Sequence, residues 1–162
     1  MEFIKLLDRA ELRPERHLFE VAQRTLDGVT RVTIVAPGSS RAIWATPLPR
    51  RASLALFVGV PSSPPGCSMR FRFGISDDRI YEALAADTPR AGAWHEMRVN
   101  LSRYAGRKFS IFYQPDGRTW RLVFATDQLA GEACTAFWGE PAVHADVDAA
   151  RQFRMRGNPG AP

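Results

Sequence analysis

Histidines, carboxylates and cysteines are the usual raw material of a catalytic or metal site, and this chain spaces them unhelpfully for either. His17, His95 and His144 are the only histidines, far apart and outside any ligand motif such as His-Glu-x-x-His. His95 and Glu96 put a base beside an acid, but strand alternation sends neighbours to opposite faces, where they cannot cooperate. Asp77-Asp78 is a carboxylate pair at what reads as a hairpin tip, where Asp commonly serves the turn. A glycosidase pair can be distant in sequence, yet no feature specifically supports one. Neither a Gly-x-Ser-x-Gly elbow nor a phosphate-cradling loop ahead of a helix is present. The reading is of a non-enzyme that needs no cofactor.

Cys67 and Cys134 are the only cysteines, too few for a closed zinc site and not in a Cys-x-x-Cys pair. Each lies beside a strand-like run, so a bridge across the fold is open to them. The first twenty residues carry charge throughout and no continuous apolar stretch, unlike an export signal. That favours two unpaired thiols, and either a cytoplasmic protein or a piece cut from a longer one. No run is long and apolar enough to span a bilayer.

The 162 residues suffice for one domain with a substantial core. A net charge of +5 would suit an acidic partner. The cations, however, are scattered singles and pairs, and all but Lys5 and Lys108 are Arg. A mildly basic solvated surface explains them more simply than a polyanion site. Nucleic acid is the weaker fit, because the aromatics of "MRFRF" fall in phase with the core.

The elements that would position these residues are strands. Phe3, Leu6, Leu7 and Ala10 have helical spacing until Pro14, and a second short amphipathic turn is expected through Leu18, Val21 and Ala22. Asp27-Gly28 then signals a turn. Strands are expected over 29–37, 41–48 (an edge strand, bounded by prolines), 52–60 (buried on both faces) and 68–76. Further strands are expected over 79–87, 94–101, 108–113, 119–125 and 134–143, with Asp116-Gly117 as a hairpin turn and 127–132 as a loop. The pattern is an all-β antiparallel sandwich. Residues 1–26 form a helical extension, 27–145 the sandwich and 146–162 a tail or linker.

The phrase "NLSRYAGRKFSIFY" (100–113) after a strand led by Trp94, followed by "AFWGEPAV" (136–143), resembles the galactose-binding-like jelly-roll sandwiches over about residues 27–145. Asn100 and Glu140 stand where that family prefers Asp, which weakens any case for calcium there. Residues 101–106 read as a strand-to-strand corner. Ser102 can cap a tight turn, Tyr104 can bury its ring, and Gly106 tolerates a positive φ. What the resemblance implies is a non-catalytic accessory module that binds carbohydrate. The alternative is a structural or protein-interaction domain packed against a neighbour.

Alternation supplies candidate binding residues. Arg70 and Arg72 point away from the apolar side of one strand, and Glu96, Arg98 and Asn100 away from that of another. If those strands were neighbours they would form one polar face able to bond hydroxyls or anions. Trp44, Trp94, Trp120 and Trp138 are possible sugar platforms, although Trp120 falls in phase with Leu122 and Phe124 and so with the core.

Overall fold

Alternating β-branched and aromatic residues, punctuated by Gly and Pro, give ten strands among the residues described by the computed structural model: 1–46, 48, 51–76, 81–102 and 120–145. The strands are β1 (Glu11–Arg13), β2 (Glu20–Leu26), β3 (Val29–Pro37), β4 (Ser40–Thr46), β5 (Ala52–Gly59), β6 (Ser68–Ser76), β7 (Tyr81–Asp87), β8 (His95–Asn100), β9 (Trp120–Ala130) and β10 (Thr135–Ala145). They form two five-stranded sheets, sheet I in the order β1-β4-β9-β6-β7 and sheet II in the order β2-β3-β10-β5-β8. Every pairing is antiparallel. The result is the expected all-β jelly-roll sandwich. Among the described residues no helix is long and apolar enough to cross a membrane.

The core is the space between the sheets. Met69, Phe71, Phe73 and Ile75 of β6 enter it from sheet I, and Leu54, Leu56 and Val58 of β5 from sheet II, all with no exposed surface. An aromatic cluster joins the two: Phe124 lies 4.8 Å from Trp138 and 5.0 Å from Trp44, with Phe71 5.0 Å from Trp138. Such edge-on and tilted contacts add to the gain from burial alone.

The amino-terminal segment differs in part from its sequence pattern. Phe3–Arg9 forms a 3-10 helix. Phe3 is fully buried, 4.8 Å from both Trp44 and Phe124, and the Trp44 indole donates to the Leu6 carbonyl at 2.9 Å. The second helical turn, however, is confined to Arg16–Leu18, and the chain then enters β2. β2 is an edge strand with mostly exposed or half-exposed residues. It therefore shows no apolar alternation, and the spacing of Leu18, Val21 and Ala22 imitates a helix instead. Asp27 and Gly28, both at positive φ, make the tight turn into β3 that their sequence announces.

Three other expectations change. β4 is not an edge strand, since three-residue β1 pairs along its outer side. β9 continues to Ala130 through what reads as a loop, because β6 follows it to Ser68 and supplies partners for those polar residues. Cys67 and Cys134 are joined by a disulfide, not left as thiols. Cys67 precedes β6 of sheet I and Cys134 precedes β10 of sheet II, so the bond links the two sheets at one end. The Asp77-Asp78 tip, Tyr104 and Gly106 of the corner, strand 108–113, the Asp116-Gly117 turn and the tail 146–162 lie outside the described residues.

Candidate functional site

The two groups of polar residues singled out in the sequence all point outward, but not together. Arg70 and Arg72 lie on β6 in sheet I, whereas Glu96, Arg98 and Asn100 lie on β8 at the edge of sheet II. The single polar face expected from both strands therefore does not form, and the residues occupy opposite outer surfaces. Alternation tells which side of a strand faces out; it does not tell which sheet the strand joins.

On sheet II, the Arg98 guanidinium pairs with the Glu96 carboxylate. The Asn100 side-chain oxygen accepts the Ser102 backbone N–H at 2.9 Å, the local turn that short Asx side chains favour. Arg98, Asn100, Ser53 and His144 border a shallow depression of about 590 Å³. His95 and Glu96 face opposite ways, as alternation requires. Glu96 stands across from Phe57 and His95 across from Val58, with His95 Nδ1 3.6 Å from Asp87 Oδ2.

The outer face of sheet I is more ordered in its chemistry. Registered pairs place Arg13, Arg41, Ala125, Arg72 and Ala86 in one row across its five strands. The next row is Glu11, Ile43, Val123, Gly74 and Ala83. Small residues thus form the floor, and longer side chains lie over it.

Asp127, opposite Arg70 in the register, ties the first row together. It accepts from Arg72 Nη2 at 2.6 Å through one oxygen and from Arg41 Nη2 at 3.2 Å through the other. Partial burial pushes the Asp127 carboxyl up, but hydrogen bonds and charge from Arg41 and Arg72 outweigh it and hold the pKa below the ordinary carboxylate value. Arg41 is fixed further by donating to the Ser40 carbonyl at 2.7 Å and the Thr126 carbonyl at 3.0 Å. Both guanidiniums are therefore held in place before any ligand arrives. Arg72 Nε is buried with no hydrogen-bond partner.

Tyr81 completes the face. A Cβ built on Gly74 would stand 2.5 Å from both Cζ and Oη of Tyr81, so the phenol lies over the bare glycine. Tyr81 nevertheless keeps 41% of its surface exposed. Its pKa is raised by burial, a shift opposed by the nearby charges of Arg72 and Arg41. An aromatic side chain close against the sheet, beside anchored hydrogen-bond donors, can take an apolar surface that carries polar groups at its rim.

The tryptophans are mostly spoken for elsewhere. Trp44, Trp120 and Trp138 are core residues, and Trp94 is half-buried on the outer face of sheet II. Its indole lies over Gly59 and Gly139 and donates to the Val29 carbonyl at 2.9 Å. Tyr81, Arg41 and Asp127 were not evident as site residues in the sequence. The available signal was Gly74, a gap in the outward series Arg70, Arg72, Gly74, Ser76 into which an aromatic ring could settle.

No protein-family model matches the chain, and no curated protein matches it in sequence. Similarity appears among solved structures. TmCBM61, determined in complex with β-1,4-galactotriose, has a TM-score of 0.55 at 8% identity, covering 86% of this chain and 90% of that one. CBM51-2 of Clostridium perfringens ZmpB, determined with GlcNAc and together with INT domains, has a TM-score of 0.51 at 12% identity, covering 84% of this chain and 27% of that one. The chain has the β-sandwich fold of these carbohydrate-binding modules.

Proposed function

We propose that the protein is a non-catalytic carbohydrate-binding module and that its ligand lies on the outer face of sheet I. The carrying observation is Tyr81, set over Gly74 yet 41% exposed, beside the fixed guanidiniums of Arg41 and Arg72. A pyranose ring has an apolar C–H face that stacks on an aromatic ring, and equatorial hydroxyls that accept hydrogen bonds from arginine. Arg70 and Arg72 are the members of the sequence-derived set that this reading uses. Glu96, Arg98 and Asn100 would belong to a separate surface.

A glycan array followed by isothermal titration calorimetry on the best ligand tests the reading. Tyr81→Ala should weaken binding at least about tenfold through loss of the stacking platform. Tyr81→Phe should retain most of it, because the aromatic face survives. Binding unchanged by Tyr81→Ala would move the site elsewhere, and a blank array would remove the reading.

A second reading is a packing module that binds a neighbouring domain and no sugar. It draws on Leu18, Val21, Val29 and Val32, apolar residues each more than 40% exposed along the β2–β3 side. Size-exclusion chromatography of Val21→Asp against wild type, with and without any covalently adjoining domain, would detect that contact.

A further inference from the structure

We infer that the glycan taken by the sheet I face is acidic, bearing a carboxylate or sulfate ester on its sugar rings. This inference rests on the proposed function of that face and names the class of its ligand. Its basis is an excess of guanidinium over carboxylate at registered positions. Arg13, Arg41 and Arg72 share one transverse row, and Arg70 stands beside it. Arg13 is paired with Glu11 at 2.5 Å. Arg41 and Arg72 share the single carboxylate of Asp127. Arg70 is exposed and makes no ion pair with another described residue.

Asp127 already displays the chemistry on offer, one carboxylate gripped by two guanidiniums through its two oxygens. Their grip leaves a positive remainder. Each guanidinium carries five N–H donors and cannot lose its charge, so Asp127 satisfies only part of either one. A neutral sugar laid on this face would cover arginine without neutralising it. An anionic sugar would replace water with charge-assisted hydrogen bonds, roughly twice as strong as neutral ones. Arg70 and Arg72 are two residues apart on β6 and therefore project on the same side, and Tyr81 lies over Gly74, the next outward residue of that strand. A ring stacked on Tyr81 could direct its anionic substituent toward this pair.

The test is calorimetry with matched trisaccharides: neutral β-1,4-galactotriose, its uronate counterpart and a sulfated galactan trimer, each at low and at physiological salt. Polyglutamate serves as a non-sugar anion. An acidic trisaccharide should bind at least about tenfold more tightly than the neutral one at physiological salt. Arg70→Ala should erase most of that preference, weakening binding of the acidic trisaccharides far more than binding of the neutral one. Arg70 is exposed, so this variant should keep the fold, and Arg72→Lys provides a second variant that keeps the charge but loses the guanidinium fork. The uronate and sulfate arms identify which anion is preferred. Equal or tighter binding of the neutral sugar, sensitive to Tyr81→Ala, would overturn the inference and leave the proposed function standing. Comparable capture of polyglutamate would reduce the effect to general basicity and overturn the inference. No binding of any sugar would overturn both.

Discussion

The Tyr81 phenol occupies the space that a side chain on Gly74 would fill, with Cζ and Oη both 2.5 Å from where that Cβ would stand. One methyl group should therefore displace the ring. Gly74→Ala is expected to weaken glycan binding several-fold or more, while removing none of the polar groups on the face. The check is calorimetry alongside the tyrosine fluorescence or NMR ring signals of Tyr81. Unchanged binding in a folded variant would mean that the ring position is immaterial.

Phe3 should matter to stability far more than its place near the start of the chain suggests. It is wholly buried against Trp44 and Phe124. Phe3→Ala is expected to cost about 3–5 kcal/mol, from lost burial plus the cavity left behind. A lower urea midpoint at unchanged slope would register it. A loss below about 1 kcal/mol would mean that the first turn contributes little to the core.

The disulfide should contribute to stability by restricting the unfolded chain. It closes a loop of sequence separation 67. Loop-closure entropy puts that contribution at about 4 kcal/mol in a simple chain model. The paired variant Cys67→Ser with Cys134→Ser should show this loss in urea unfolding, and reductant should lower the wild-type midpoint in the same direction. Identical midpoints under oxidising and reducing conditions would argue that the bond adds nothing.

Asp127 gives the fold a pH dependence of defined sign. Its folded pKa lies below the ordinary carboxylate value, so folding favours the ionised form. The stabilisation is fully present above the unfolded value, about 4, and is lost as pH falls through the folded one. Asp127→Asn should be less stable than wild type at neutral pH, with the gap narrowing in acid. Thermal unfolding from neutral pH to about pH 3 would follow it. A gap that widened in acid would contradict the sign.

Much of the sandwich was legible because its interior strands are half-buried. Met69, Phe71, Phe73 and Ile75 repeat at the strand period, and all four are wholly buried. β2 was less legible because an edge strand can be polar on both sides, leaving no period to read. The candidate site was harder still. Arg41 and Asp127 meet across a sequence separation of 86, and Arg72 and Asp127 across 55. Asp127 also sits in a stretch that reads as a loop until its pairing with β6 is known. Sequence periodicity identified Arg70 and Arg72 as outward residues, but only the sheet order separates them from Glu96, Arg98 and Asn100.

The Cys67–Cys134 bond also sets what the molecule does under tension. Strands β6, β7, β8 and β9 all fall within the covalent ring that it closes, while β4 lies outside. If the chain is pulled from its two ends, force passes through the bond and bypasses those four strands. Up to roughly 230 Å of extended chain is withheld from stretching, at about 3.4 Å for each residue of the 67-residue separation. Arg70, Arg72, Tyr81 and Asp127 are all inside that ring. Pulled at its two ends, the molecule would therefore keep the backbone that carries these four residues off the load path, and a single proteolytic cut within the ring would still leave one covalent piece.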